Sequence, residues 1–413
     1  MSESLVVVGN GMAAARLVEE LTARTPGKYA IAVIGEEPVL AYNRVLLSSL
    51  LAGDVAEGDI ELKSSQWWKS KGVTLVYGRS AIGIDASARQ VCLEGGASLS
   101  YSKLVLATGS EPIRLPLPGA ELSGVHTFRN VSDVSAIIAH AGPRRRTLVI
   151  GGGLLGLEAA YGLSKAGAQV TVVHLMSRLM ERQLDERAAS MLNSELEALG
   201  IEVLLDAESA AIEGSDRVEA LRLADGRVLP ADLIVMAAGI RPRTELASAG
   251  GLAVGRGILV DDHMQTSAPA VYALGECAEH RGVCYGLVEP AYEQARTLAT
   301  HLSGMPSAYE GSLLSTNLKV SGIDVFSAGD FLGAPGTEPI LFIDDEQGVY
   351  RKLIVKDGRL SGAVLLGDTG DALWYLDLIQ SGTPIAAMRD DLIFGQAFCA
   401  DAGAEPALHA EAA

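Results

Sequence analysis

Two stretches of this chain repeat one local pattern, and that repetition constrains its fold more than any other feature. "LVVVGNGMAAARLVEEL" runs from Leu5 to Leu21, and "LVIGGGLLGLEAAYGL" runs from Leu148 to Leu163. Each is a short apolar run, a glycine cluster, then apolar residues at helical spacing, which reads as strand, tight turn and helix. A second apolar run follows each one, "IAVIGEE" from Ile31 and "VTVVHL" from Val170. Strand–helix–strand order implies parallel sheets with helices on their faces, so the repeat predicts an α/β chain with two similar domains.

The glycines carry chemistry as well as shape. Gly9 and Gly11 occupy the first two places of the dinucleotide fingerprint, and Ala14 takes the third. The first glycine permits the turn, and the second lets backbone approach a pyrophosphate held at the helix N-terminus. The fingerprint calls for an acid about 20 positions further on, to bond a ribose hydroxyl. Glu36 stands there, with Glu37 beside it. An ordinary strand–turn–helix has no need of that acid. In the second unit Gly151, Gly153 and Gly156 are in full register, but His174 replaces the acid and Arg178 follows four residues later. Such a His serves equally beside a 2′-phosphate or along an adenosine, so NADH and NADPH both stay open. Two dinucleotide sites in one chain imply redox chemistry between a nicotinamide donor and a flavin acceptor.

The remaining pattern completes the layout. "KLVLATGSEP" from Lys103 and "LIVMAAGIRP" from Leu233 are buried strands running into Gly and Pro, as at domain crossings. After Gly304 the pattern shifts to short strands and one helical stretch near Leu373 to Ile379, a smaller α+β domain. The expected division is 1–110 with 241–312, then 111–240, then 313–400, and a flexible tail over 401–413. The net charge of −18 argues against nucleic-acid or anionic-membrane surfaces. No window reaches the ~20 apolar residues of a membrane span. Four cysteines form no disulfide framework and no signal peptide is visible, which together predict a cytoplasmic location. Cys277, His280 and Cys284 crowd together in "GECAEHRGVC", but Cys-x6-Cys lacks metal-ligand spacing and no further pair completes four ligands. The reading is no metal site, with the thiols as packing.

Four ordered motifs resemble the two-dinucleotide-binding flavoprotein superfamily that includes glutathione reductase and ferredoxin reductases. They are the first fingerprint, "ATG" at 107–109, the second fingerprint, and "TSAPAVYALGE" at 266–276. The resemblance spans nearly all of residues 5–395. It implies two Rossmann-like domains of the glutathione-reductase type, binding FAD in the first and NADH or NADPH in the second. By the same resemblance Glu276 stands where a carboxylate, usually Asp, bonds the flavin ribityl and phosphate region. Pro290 is read as the first residue of a helix whose N-terminus, with Glu289 near its cap, faces the flavin pyrimidine. FAD is therefore assigned to Gly9, Asn10, Gly11, Met12, Ala13, Glu36, Glu37, Arg44, Ser49, Ala81, Ala107, Thr108, Gly109, Gly275, Glu276 and Pro290. The nicotinamide dinucleotide is assigned to Gly151, Gly153, Leu154, Leu155, Gly156, His174, Arg178 and Gly239, with Glu158 as the candidate catalytic residue lining its pocket.

Subclass follows from departures. No Cys-x4-Cys follows the first domain, and "AYNRVLLSS" at 41–49 has no redox cysteine. Ferredoxin-reductase relatives carry Arg-Pro-Pro-Leu-Ser-Lys there; Arg44 is kept, but Ser49 replaces the lysine that would pair with Glu158. "RLMERQLDERA", "GECAEHRGVCYGLVEPAYEQA" and "STNLKVSGIDVFSAGDF" resemble more closely the flavoprotein part of assimilatory NAD(P)H nitrite reductases and the electron-transfer subunits of assimilatory nitrate reductases. Large nitrite reductases continue into iron–sulfur and sirohaem segments, whereas these residues offer no Cys-x-Cys or paired Cys-x2-Cys to hold a cluster. The expected acceptor is therefore a separate metalloprotein: a nitrate or nitrite reductase, with a ferredoxin or rubredoxin behind it. A homodimer is left open. The rival reading is a slow flavin redox sensor of the apoptosis-inducing-factor kind, suggested by Ser49.

Overall fold

The computed structural model describes residues 2–320 and 322–399; the tail expected at 401–413 lies outside the described residues. In chain order, β1 (Glu3–Val8), α1 (Met12–Arg24), β2 (Tyr29–Gly35), β3 (Thr74–Tyr77) and β4 (Lys103–Leu106) come first. They are followed by α2 (Val131–His140), β5 (Arg146–Ile150), α3 (Leu154–Lys165), β6 (Gln169–Val173), α4 (Glu186–Ala198), β7 (Glu202–Leu204) and β8 (Leu233–Met236). Next are β9 (Val271–Ala273), α5 (Val288–Leu302), β10 (Ser315–Val320), β11 (Ile323–Gly329), β12 (Glu338–Asp344), β13 (Val349–Lys356), β14 (Arg359–Leu366) and α6 (Ala372–Ser381).

The chain forms two compact units. The first comprises residues up to Leu115, His126–His140 and Ala238–Ser312. Its parallel sheet has the order β9-β4-β1-β2-β3. Strand β1 is central and covered on both faces. Leu5 and Val7 pack with Leu17, Val18 and Leu21 of α1 and Leu298 and Leu302 of α5. Val6 and Val8 pack with Ile84, Val91, Leu104 and Leu106. Two-sided burial is why β1 reads as an unbroken apolar run instead of an alternating one. Burial of each such side chain stabilises the unit by ~1.5–3 kcal/mol.

The second unit comprises Pro116–Val125, Ala141–Ala237 and the chain from Leu313 onward. Strands β7, β6, β5 and β8 lie side by side in parallel, repeating the first sheet's pattern. A separate antiparallel sheet has the order β10-β11-β14-β13-β12. Phe326, Leu353 and Leu365 on one face of that sheet pack under Tyr375 and Leu378 of α6.

The sequence reading treats 111–240 as one segment, whereas His126–His140 lies with the first unit. The cause is local. Arg129, just ahead of α2, sends its guanidinium to Ser110 and Glu276, both in the first unit.

Candidate active site

In each parallel sheet the strand order reverses beside the glycine-bearing strand. To one side of β1 lie β2 and β3, and to the other β4 and β9; β5 has β6 on one side and β8 on the other. Ligands of open α/β sheets bind at such reversals, beyond the C-terminal strand ends. Both fingerprints are at these points.

In the first unit Gly9 has φ +118°, and a Cβ there would fall 2.0 Å from the Ala107 carbonyl oxygen. Only glycine lets the β1–α1 turn come this close to the "ATG" strand end. Gly11 caps α1 and no acid sits in its first turn, leaving Met12 and Ala13 to present N–H groups that lack intrahelical acceptors. No atom lies within 4 Å of where a Gly11 Cβ would point. The result is an open, positively polarised cradle for an anion. Beside it Asn10 donates to the Val39 carbonyl at 3.2 Å, while its Oδ1 is buried without a partner.

The acids after β2 have separate tasks. Glu36 is exposed and pairs with Arg243. Glu37 accepts the Tyr42 hydroxyl at 2.7 Å and the Arg44 guanidinium. Arg44 also donates to the Arg129 carbonyl at 3.0 Å, with its guanidinium 4.9 Å from the Tyr42 ring centre. Held this way, Arg44 is a preorganised cation. Ser49 is half-buried on the short helix Leu47–Ala52, and Ala81 begins the strand Ala81–Asp85. Thr108 and Gly109 both hold Arg243, through its carbonyl at 2.9 Å and its N–H at 3.0 Å.

Glu276 follows Gly275, whose N–H donates to the buried side chain of Gln294 on α5 at 2.7 Å. The Glu276 carboxylate accepts the Ser110 hydroxyl at 2.7 Å and the Arg129 guanidinium, and Arg129 also donates to Ser110 at 2.8 Å. The Nε of Arg129 is buried without a partner. Sequence reasoning missed Ser110, Arg129 and Arg243. They lie in no motif and meet their acids across 166, 147 and 207 residues respectively. One expectation is corrected: α5 begins at Val288, so Pro290 is its third residue and not its first. The proline is still within the first turn, where its missing N–H costs no helical bond.

Cys277 is fully buried and its Sγ donates to the carbonyls of Leu274 at 3.3 Å and Leu106 at 3.5 Å. Burial pushes the thiols of Cys277 and Cys284 up, away from the reactive thiolate.

In the second unit Gly151 has φ +123°, and a Cβ on Gly156 would fall 2.0 Å from the Gly151 carbonyl oxygen. That contact seats α3 hard against β5, which is the task of the third glycine. Gly153 caps α3, again with no acid in the first turn and open space at its Cα. Leu154 and Leu155 open the helix and Glu158 is half-buried at the start of its second turn. His174 accepts the Gly152 N–H on Nδ1 at 3.0 Å, so Nε2 carries the proton and faces the Arg178 carbonyl at 3.1 Å and Glu181 at 3.3 Å. The Arg178 guanidinium donates to the carbonyls of Leu184 at 3.2 Å and Glu181 at 3.3 Å. Both side chains therefore brace the loop behind the glycine turn. Gly239 lies in the first unit, where its carbonyl accepts the Ile113 N–H at 2.9 Å.

The donor set fits the expected nucleotides. The first unit joins an open helix N-terminus, a fixed arginine, a ribose-length acid and two unpartnered buried polar atoms, as FAD requires. The second offers an open helix N-terminus, which suits the pyrophosphate of a dissociable dinucleotide.

Comparison with known proteins agrees. A family model described as pyridine nucleotide-disulphide oxidoreductase matches residues 3–297, and one described as rubredoxin NAD+ reductase C-terminal domain matches residues 315–383. The chain is 45% identical over 385 residues to the NAD(P)H nitrite reductase of Bacillus subtilis (strain 168), covering 93% of this chain and 48% of that protein. It is 44% identical over 392 residues to the assimilatory nitrate reductase electron transfer subunit of the same organism, covering 95% and 51%. The chain thus spans about half the length of these curated relatives. Among solved structures, the putidaredoxin reductase–putidaredoxin complex matches with a TM-score of 0.88 at 26% identity, covering 98% of this chain and 99% of that one.

Proposed function

The chain belongs to the pyridine nucleotide-disulphide oxidoreductase family, and from that premise we propose that it is the NAD(P)H-oxidising flavoprotein of an assimilatory nitrate or nitrite reductase system. It is an FAD-dependent NAD(P)H oxidoreductase, and in this reading it passes its electrons to a separate redox protein. The observation that carries the reading is the pair of open helix N-termini, each at a sheet reversal and each capped by a fingerprint glycine. The likeness to the two Bacillus subtilis proteins supports the choice of acceptor. A ferredoxin or rubredoxin is the alternative acceptor, supported by the likeness to putidaredoxin reductase. Among the described residues no helix is long and apolar enough to cross a membrane.

FAD, when bound, would supply the conversion between the two-electron chemistry of a nicotinamide and the one-electron chemistry of a metalloprotein. The protein's part is position and field. The α1 N-terminus and Arg44 hold the FAD pyrophosphate, Glu36 takes the adenosine ribose, and Glu276 with Arg129 and Ser110 fixes the ribityl side. The α3 N-terminus holds the nicotinamide dinucleotide, and Glu158 lines its pocket. No side chain is assigned as a nucleophile, in keeping with the upward shift of the Cys277 and Cys284 thiols.

Stopped-flow reduction tests this. Purified protein should carry FAD, and its visible band should bleach within seconds of mixing with NADH or NADPH. Bleaching that takes minutes would favour the redox-sensor reading encouraged by Ser49. Absence of bound adenine–flavin pigment would overturn both.

A further inference from the structure

The segment "RLMERQLD", Arg178 to Asp185, marks the resemblance to nitrite reductases but has no part in the chemistry above. Its geometry shows what it does. Met180 has φ +48° and is fully buried, and its N–H donates to the Gly152 carbonyl at 3.0 Å. The Gly152 N–H donates to His174, whose other nitrogen faces Arg178 and Glu181. The His174 ring and Leu179 lie so close that a Cβ on Gly152 would fall within 2.7 Å of both. The carbonyl of Gly152, between the fingerprint's first two glycines, is thus held by this loop directly, and its N–H is held by His174, whose ring the loop braces.

The loop's far end is fixed to the antiparallel sheet of the same unit. Asp185 caps α4 by accepting the Ala188 N–H at 3.1 Å. Its Oδ2 accepts the Tyr350 hydroxyl at 2.7 Å and the Lys352 ammonium at 2.9 Å. Tyr350 and Lys352 stand two residues apart on β13 and so share a face. The side chains of Asp185 and Lys352 are each only 13% exposed, which sets this pair apart from solvated surface pairs. Arg187 and Asp345 form an exposed second tie nearby.

We propose that Tyr350 and Lys352 are positioning residues for the nicotinamide dinucleotide: through Asp185 and the 178–185 loop, the C-terminal sheet sets the geometry of the Gly151–Gly153 turn. The turn binds pyrophosphate through backbone N–H groups, and their direction is only as well defined as the loop behind them. Removing the ammonium leaves a partly buried carboxylate without its counter-charge and frees the loop end. FAD, held by residues of the other unit, is untouched. The inference rests on the reading that places NAD(P)H at this second glycine turn.

Steady-state NADH–ferricyanide kinetics on FAD-loaded protein, with near-ultraviolet circular dichroism as the folding control, test it. Lys352→Met should raise the KM for NADH about tenfold while kcat and the KM for ferricyanide change less than about twofold. Lys352→Arg should restore most of the loss. Asp185→Asn combined with Lys352→Met should add little to either alone, since both cut one link. An unchanged KM for NADH in folded Lys352→Met, or a fall in kcat at constant KM, overturns the proposal. Should Lys352→Met fail to fold, Tyr350→Phe removes one hydrogen bond at nearly constant volume, and the same split in KM decides. Wild-type protein that neither binds nor oxidises NADH or NADPH would instead overturn the functional reading.

Discussion

At the scale of single residues, the Glu276 carboxylate accepts both the Ser110 hydroxyl and the Arg129 guanidinium. Its charge is therefore balanced within the protein, while the Nε of Arg129 is buried without a partner. Removing either partner leaves the other partly buried and uncompensated, which is costlier than losing the pair together. Hydrogen bonds to charged groups contribute ~1.5–3 kcal/mol, and each ~1.4 kcal/mol is tenfold in affinity. Glu276→Ala and Arg129→Ala should thus each weaken FAD binding by about tenfold to a hundredfold, and the double variant by less than the product. Titration of apoprotein with FAD measures this. Wild-type affinity in Glu276→Ala would remove the carboxylate from the cradle.

At the scale of elements, the sequence reveals what depends on residue type and near spacing, and hides what depends on long-range meeting. The glycine turns, β1 as a two-faced buried strand and the acid after β2 were all legible, because each is dictated within about 30 residues by backbone freedom or periodicity. Ser110, Arg129, Arg243 and the Asp185–Lys352 tie were not, because each pair is separated by at least 147 residues and no local pattern announces a partner. His174 was legible as a residue near the nucleotide, but its commitment to Gly152 depends on the loop's fold. The two glycines of the second turn separate folding from binding. Gly156→Ala forces a Cβ to within 2.0 Å of a backbone oxygen, so it should destabilise the protein by ~1–3 kcal/mol and lower its melting temperature. Gly153 has an ordinary φ of −83° and open space at its Cα. Gly153→Ala should fold normally yet raise the KM for NADH, because its methyl group would intrude where the proposed reading puts the pyrophosphate. Equal melting temperatures for the two variants would refute this division of labour.

At the scale of the whole molecule the two units differ in how they store charge, and the difference gives a pH prediction. In the second unit the Arg146 side chain beside Asp232 holds that carboxyl down at about 2. Burial works against the Asp185 carboxylate, yet Tyr350, the Ala188 N–H and Lys352 together hold it below the ordinary range. Asp368 is also lowered, by the Gly370 N–H and Arg351. In the first unit the shifts oppose one another: Arg281 and His280 lower Asp262 and the Ala88 N–H lowers Asp85, while burial raises Asp133. A carboxyl lowered on folding contributes stability above its unfolded value of about 3.9, and that contribution is lost as pH falls through the folded value. A carboxyl raised on folding acts in the opposite sense, its contribution being lost as pH rises. The second unit should therefore weaken more steeply between about pH 4 and pH 2, whereas partial cancellation protects the first. The probes are built in. Trp67 and Trp68 lie in the first unit and Trp374 in the second, and the proposed FAD cradle is in the first. On acid titration of a Trp67→Phe, Trp68→Phe variant, the Trp374 emission should shift before flavin fluorescence rises on release. Flavin release that precedes or coincides with the Trp374 change would show that the acid response is set by the first unit after all.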